Sequence, residues 1–226
     1  AMMGTGIHAG IEKYWTNCIS TKNKDFNETE ITDASVEKFE SEISSVENVK
    51  YSAGLDKNSA INYVVKGTNS YLHDLTPFID IPDAVEARFT VKVNNPIIEK
   101  ISGQVDYIKN DTISDIKTSG RKVAASGHVL QQSMYSYLAN VNGYNVTKNT
   151  IQSVVLAKTK VYSEELALTS NIAQVKFITN NLLQKLKILY EDKIDPDILF
   201  PGNPKHYLCS PDYCSLYKTC KFVNGG

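Results

Sequence analysis

The hydrophobic period of this chain changes part-way along it, and that change limits the folds open to it. Between Gly6 and Cys18 the apolar residues Ile7, Ile11, Tyr14 and Cys18 recur at helical spacing, with His8 and Glu12 together on a flanking face. A polar stretch, Thr21 to Thr32, reads as a loop, after which Val36, Phe39, Ile43 and Val46 mark a second helix. A third, shorter helix is predicted over Asn58 to Val65. From Val85 to Asn94 the spacing becomes two: Val85, Ala87, Phe89, Val91 and Val93 alternate with Glu86, Arg88, Thr90, Lys92 and Asn94, the pattern of a half-buried strand.

The segment Ile101 to Ser119 continues in that mode as two strands around Asn110-Asp111, residues that tolerate the left-handed backbone of a tight hairpin. Helical spacing returns with Leu130, Met134, Leu138 and Val141, Ser153 to Ala157 reads as one more strand, and a long helix is expected from about Ser170 to Asp192. In that helix Ile172, Val175, Ile178, Leu182, Leu186 and Leu189 would face inward. Helices, then strands, then helices predict an α/β fold, a small central mixed β-sheet flanked by helices. The expected organisation is one domain over residues 1–226, with a Cys-containing tail, 196–226, packed on it. At 226 residues, 42% of them hydrophobic, such a chain buries a core without help from metals or disulfides.

A two-residue hairpin loop at Asn110-Asp111 sets Asp106 directly opposite Asp115. Like charges at a cross-strand pair destabilise a sheet unless something neutralises them, and a divalent cation does so economically. Hard oxygen ligands suit Mg²⁺ or Mn²⁺. Lys117, two residues past Asp115, shares its face and brings an ammonium to the same place, where it can orient or activate an attacking water. Glu86, on the polar side of the preceding strand, could add a further carboxylate.

In order, Gly4-x-x-x-His8, Glu86, Gly103-x-x-Asp106, Asp115-Ile116-Lys117 and Gln131-x-x-x-Tyr135 resemble the motifs of the PD-(D/E)XK nucleases, in the RecB-like exonuclease branch that includes CRISPR-associated and phage recombination exonucleases. The resemblance implies a restriction-endonuclease-like core and a metal-dependent DNA exonuclease acting at DNA ends in recombination, repair or CRISPR and phage DNA processing. It implies that His8, Asp106, Asp115 and the Ile116 carbonyl bind Mg²⁺ or Mn²⁺, that Glu86 assists directly or through water, and that Lys117 serves the nucleophilic water. Gln131 and Tyr135 would line the site and contact DNA. A structure-selective or restriction-type endonuclease on the same fold, and a non-catalytic DNA-binding subunit, are the rival readings. A helicase or recombinase partner would fit the branch.

Some members of that branch hold a [4Fe-4S] cluster on one early cysteine and three late ones, which would match Cys18, Cys209, Cys214 and Cys220. Cys18 also lies on the apolar stripe of the first helix, where a buried thiol is the competing reading. The three late cysteines with His206 could equally make a zinc site or pack as thiols. The formal charge of −1 provides no global attraction for a polyanion, so DNA must be met locally, and Arg121-Lys122, in the Gly/Ser-rich loop after the Asp115 strand, is the expected contact. No apolar run approaches the ~18 residues that span a bilayer, and no basic-then-hydrophobic leader opens the sequence, so no membrane association and a cytoplasmic location are expected.

Overall fold

The computed structural model describes residues 2–49, 51, 54–199, 214 and 217–220. Its order is α1 (Met2–Thr21), α2 (Glu28–Ser44), α3 (Lys57–Asp74), β1 (Ala84–Lys92), β2 (Lys100–Lys109), β3 (Thr112–Ser119), α4 (Val129–Val141), β4 (Lys148–Leu156), β5 (Val161–Leu168), α5 (Ile172–Asp192) and α6 (Pro196–Leu199), with short 3₁₀ turns at Thr76–Phe78, Ala125–His128 and Tyr217–Thr219. The chain divides into two units, Ala1–Val91 with Ile101–Val175, and Lys92–Lys100 with Lys176–Gly226.

The first unit carries the α/β core. The five strands form one mixed sheet in sequence order, with β2–β3 antiparallel, β3–β4 parallel and β4–β5 antiparallel. A parallel neighbour requires a crossover, and α4 supplies it between β3 and β4. The hairpin register near the turn matches the expected one: Tyr107 faces Ser114, Ile108 faces Ile113 and Lys109 faces Thr112. Asn110 takes a φ of 52°, and Asp83 clamps the turn by accepting from the Asn110 N–H at 2.6 Å and the Lys109 ammonium at 3.1 Å.

Helices α1 to α3 cover one face of the sheet. Ile7, Ile11, Tyr14, Trp15 and Cys18 of α1 are buried with Ile31, Phe39, Val64, Tyr71 and Leu72, against Tyr107, Ile116, Val154 and Leu156 of the sheet. Asn27 caps α2 through bonds from Thr29 and Glu30 N–H, and Asp56 caps α3 through Ser59 N–H at 2.7 Å, each worth about 1 kcal/mol. The loop before α2 is therefore shorter than expected, and α3 runs nine residues beyond Val65 to Asp74. Gly67 does not end that helix: a Cβ there would lie 2.6 Å from Ile7 Cδ1, so the glycine permits the approach to α1. On the other face, Phe89, Val105, Ile108 and Ile113 pack with Leu138 and Ala139 of α4.

Three further expectations are corrected. Leu130 and Val141 of α4 are 48% and 54% exposed, and the buried face carries Gln132, Ser133 and Ser136 beside Leu138 and Ala139. Strand β5 was not anticipated, because its Glu164-Glu165-Leu166-Ala167-Leu168 run is rich in helix formers and only its pairing to β4 makes it a strand. Ile178 and Leu182 of α5 are exposed rather than inward, although Val175 is fully buried.

The second unit contains the rest of α5 and the short α6. Its segment 92–100 turns on Asn95, whose side-chain oxygen accepts from the Ile97 and Ile98 N–H groups and whose amide donates to the Leu183 carbonyl at 2.8 Å. Among the described residues no helix is long and apolar enough to cross a membrane.

Candidate metal centre

Four elements of the first unit converge on the candidate site. The N-terminal part of α1 lies along β3, close enough that a Cβ on Gly4 would meet Thr118 Cβ at 3.5 Å. That approach brings His8 over β2, with its Nδ1 3.9 Å from Asp106 Oδ2. Glu86 of β1 completes a group whose ligand atoms, one each from His8, Glu86 and Asp106, all lie within 4.8 Å of one another. Its backbone adopts a φ of 49° inside a strand, a conformation costing about 1–3 kcal/mol in a non-glycine residue, and the alternation of β1 breaks at that point. The carboxylate accepts a close hydrogen bond from the Gln104 amide, and Arg88 donates to Gln104 Oε1 at 3.0 Å.

Asp106 is oriented from β3. Its Oδ2 accepts from the Ile116 N–H at 2.7 Å. Asp115 is 2% exposed, with one oxygen 2.6 Å from the Lys117 ammonium. That ammonium is itself a cation against the buried carboxylate and offsets the cost of burying its charge.

The electrostatics agree with this crowding. Burial, then the Asp115 charge, pushes the Asp106 carboxyl up to about 6, against the opposing pull of the Ile116 N–H and Lys117. Burial also raises Glu86, helped by Asp106 and Glu12. Burial lowers His8, which favours the neutral, metal-ligating imidazole. One imidazole with several carboxylates, under a shared excess of negative charge, suits a hard or borderline divalent ion such as Mg²⁺ or Mn²⁺. His8, Glu86 and Asp106 could hold it directly, with Asp115 and the Ile116 carbonyl adjoining.

His8, Glu86, Asp106 and Ile116 border a cavity of about 450 Å³ that is also lined by Thr5, Glu12, Lys38, Lys117 and Thr118. Glu12, one helical turn after His8, was legible from spacing, whereas Lys38 and Gln104 carry no local signal. Gln131 and Tyr135 form their own pair on α4, Nε2 to hydroxyl at 2.9 Å, and Tyr135 is raised by burial and by the charges of Asp115, Asp106 and Glu86. Gly103 makes room for them: a Cβ there would sit 2.9 Å from Leu138 and 3.3 Å from the Tyr135 ring. Arg121 is exposed in the loop after β3, while Lys122 is engaged by Glu164 at 3.1 Å. Cys18 is buried on α1, where burial raises its thiol. Cys214 and Cys220 are half-buried free thiols in the second unit, and Cys209 and His206 lie outside the described residues.

No protein-family model matches this sequence, and no curated protein matches it. A crystal structure named "Putative exonuclease" from Eubacterium rectale is similar in fold, with a TM-score of 0.56 at 11% identity over 83% of this chain and 69% of that one. A second solved structure, of SSO0001, has a TM-score of 0.39 at 16% identity over 62% of this chain and 60% of that one, too low for any argument. What the first likeness establishes is a shared α/β fold.

Proposed function

We propose that this protein is a metal-dependent DNA exonuclease of the PD-(D/E)XK type, related to the RecB-like branch. The observation that carries the reading is the His8, Glu86 and Asp106 cluster beside the buried Asp115–Lys117 ion pair. The fold shared with a protein named as an exonuclease, and the ordered motifs, support it.

A bound divalent ion supplies Lewis acidity at the scissile phosphate and lowers the pKa of a water. The chain's own residues do the rest. His8, Glu86, Asp106 and Asp115 hold the cation and spread its charge over fixed carboxylates. Lys117 positions the attacking water and offsets charge developing on the phosphate. The Ile116 N–H keeps Asp106 aimed into the cavity. Gln131 and Tyr135 place the strand, and Arg121 meets its backbone.

The test is degradation of end-labelled linear DNA against covalently closed circles, single- and double-stranded, with Mg²⁺, Mn²⁺ or EDTA, beside Asp115→Ala. Loss of linear DNA alone, abolished by EDTA and by the substitution, is the expected outcome. Cutting of circles would make it an endonuclease, and DNA binding without cleavage under either metal would leave a non-catalytic subunit.

A further inference from the structure

A second hollow, of about 830 Å³, lies between α3 and the β4–β5 turn, lined among others by Tyr63, Lys66, Asn69, Lys158, Thr159 and Lys160. Its charge is predominantly positive, three lysines against the one carboxylate of Asp74, which accepts from the Ser163 N–H at 3.0 Å and the Ser70 hydroxyl at 3.1 Å, while His73 pairs with Glu28 at 2.8 Å. Lys66, Lys158 and Lys160 are exposed, and among the described residues none has a carboxylate within ion-pair distance; Lys160 lies only over the Tyr162 ring, at 5.8 Å. In a chain of net charge −1, three such ammonium groups around one concavity are a local concentration of positive charge. Tyr63 lies in the same wall, and an aromatic side chain there is of the kind on which a base stacks.

The sheet connects this hollow to the metal cluster. Strands β3 and β4 run parallel, Lys117 facing Ser153 and Ser119 facing Val155, so the Arg121 loop and the Lys158–Lys160 turn leave the sheet at the same end. From Ile151, the partner of Asp115, to Leu156 at the end of β4 is about 17 Å at 3.3 Å per residue. That is about five nucleotides at the 3.4 Å spacing of a duplex strand. Both cavities are bordered by the α1–α3 layer, the first by α1 and α2 and the second by α3.

We propose that the hollow bounded by Lys66, Lys158 and Lys160 is a second nucleic-acid site, which grips the phosphates of a strand about five nucleotides away from the cleavage position. The inference rests on the nuclease reading for its direction, and on the three lysines without a carboxylate partner and the Tyr63 wall for its location. Its function is retention: a strand held at this distance stays bound while its end is processed.

Binding is the readout, so the test does not depend on cleavage. An end-labelled oligothymidylate of about twenty nucleotides, longer than the track, is titrated in EDTA at several salt concentrations with the wild type, with K66A/K158A/K160A, and with the surface control K22A/K92A/K100A of equal charge change. Unchanged melting temperatures establish that all three are folded. The hollow variant is expected to bind at least tenfold more weakly, and its log-log salt slope to fall by about 2, as three lost single-strand phosphate contacts require. Equal binding by wild type and hollow variant, an equal loss in the control, or no DNA binding by the wild type would overturn the proposal. Cleavage of linear DNA with lysine-independent binding would overturn it and leave the nuclease reading standing. Lysine-dependent binding without cleavage would support it and remove the nuclease reading.

Discussion

Helices α1 and α4 both bring residues of the candidate site to the sheet, yet they are anchored by different forces. The buried stripe of α1 is apolar, and Trp15 closes it by donating to the Tyr71 hydroxyl at 2.9 Å, which in turn donates to Gln152. The buried stripe of α4 is largely polar. Asn149 of β4 accepts from Ser136 at 2.9 Å and donates to the Gln132 backbone and side-chain oxygens at 3.3 and 3.2 Å, and Asn171 N–H reaches Ser133 at 2.7 Å. Apolar burial is strong and tolerant of direction, whereas a hydrogen-bonded layer is modest in net energy and strict in geometry. The helix carrying His8 is therefore held by area, and the one carrying Tyr135 by orientation.

The largest effect is expected on the α1 side. Trp15→Ala should cost about 3–5 kcal/mol, since it opens a cavity and removes the donor to Tyr71; urea unfolding measures it, and a loss under 1 kcal/mol would refute the anchoring ascribed to this helix. Next in size is the charge that both helices surround. A folded Asp106 carboxyl raised to about 6 binds its proton more tightly than the unfolded chain does, so the metal-free protein should lose stability as pH rises from about 4 to about 6. The loss is on the order of 2–3 kcal/mol. Mn²⁺ should reverse it, and Asp106→Asn should reduce the pH dependence to the opposed contributions of Glu86 and His8 and remove the metal-induced rise in melting temperature. A flat melting profile over this pH range in EDTA would contradict the crowding. On the α4 side, Asn149→Ala should cost about 2 kcal/mol, because it strands buried partners. Gln132→Met should stay within about 1 kcal/mol of wild type, since the Gln132 Nε2 already lacks an acceptor and its removal offsets the lost contact. If Gln132→Met proved the more damaging of the two, the hydrogen-bonded layer would be centred on α4 rather than on β4.

This division also explains what could be read from the sequence. The α1 stripe and the β2–β3 hairpin were legible because their signals are local: helical spacing in one, a turn dipeptide between alternating strands in the other. The pairing of Tyr107, Ile108 and Lys109 with Ser114, Ile113 and Thr112 followed from counting residues around Asn110-Asp111. On α4 the same counting misled, since Leu130 and Val141 keep helical spacing while the sheet selects the polar side. Strand β5 and the length of α3 depend on neighbours far along the chain, Leu156 and Val154 against Gly67 among them, and no local pattern announces a glycine placed for close approach. In the site, Gln104 and Lys38 were missed for the same reason: their importance lies in what other segments bring beside them.

The parallel pairing of β3 with β4 bears on the order in which the molecule assembles. The β2–β3 hairpin joins neighbours in sequence and can form on the microsecond scale, whereas β4 must await the α4 crossover and His8 must arrive from the far end of the chain. The strands that carry Asp106 and Asp115 therefore meet early, and the His8 imidazole comes late. On the proposed reading, cation capture by all the ligands would belong to the finished chain alone, and a newly made copy would not be armed before it had folded.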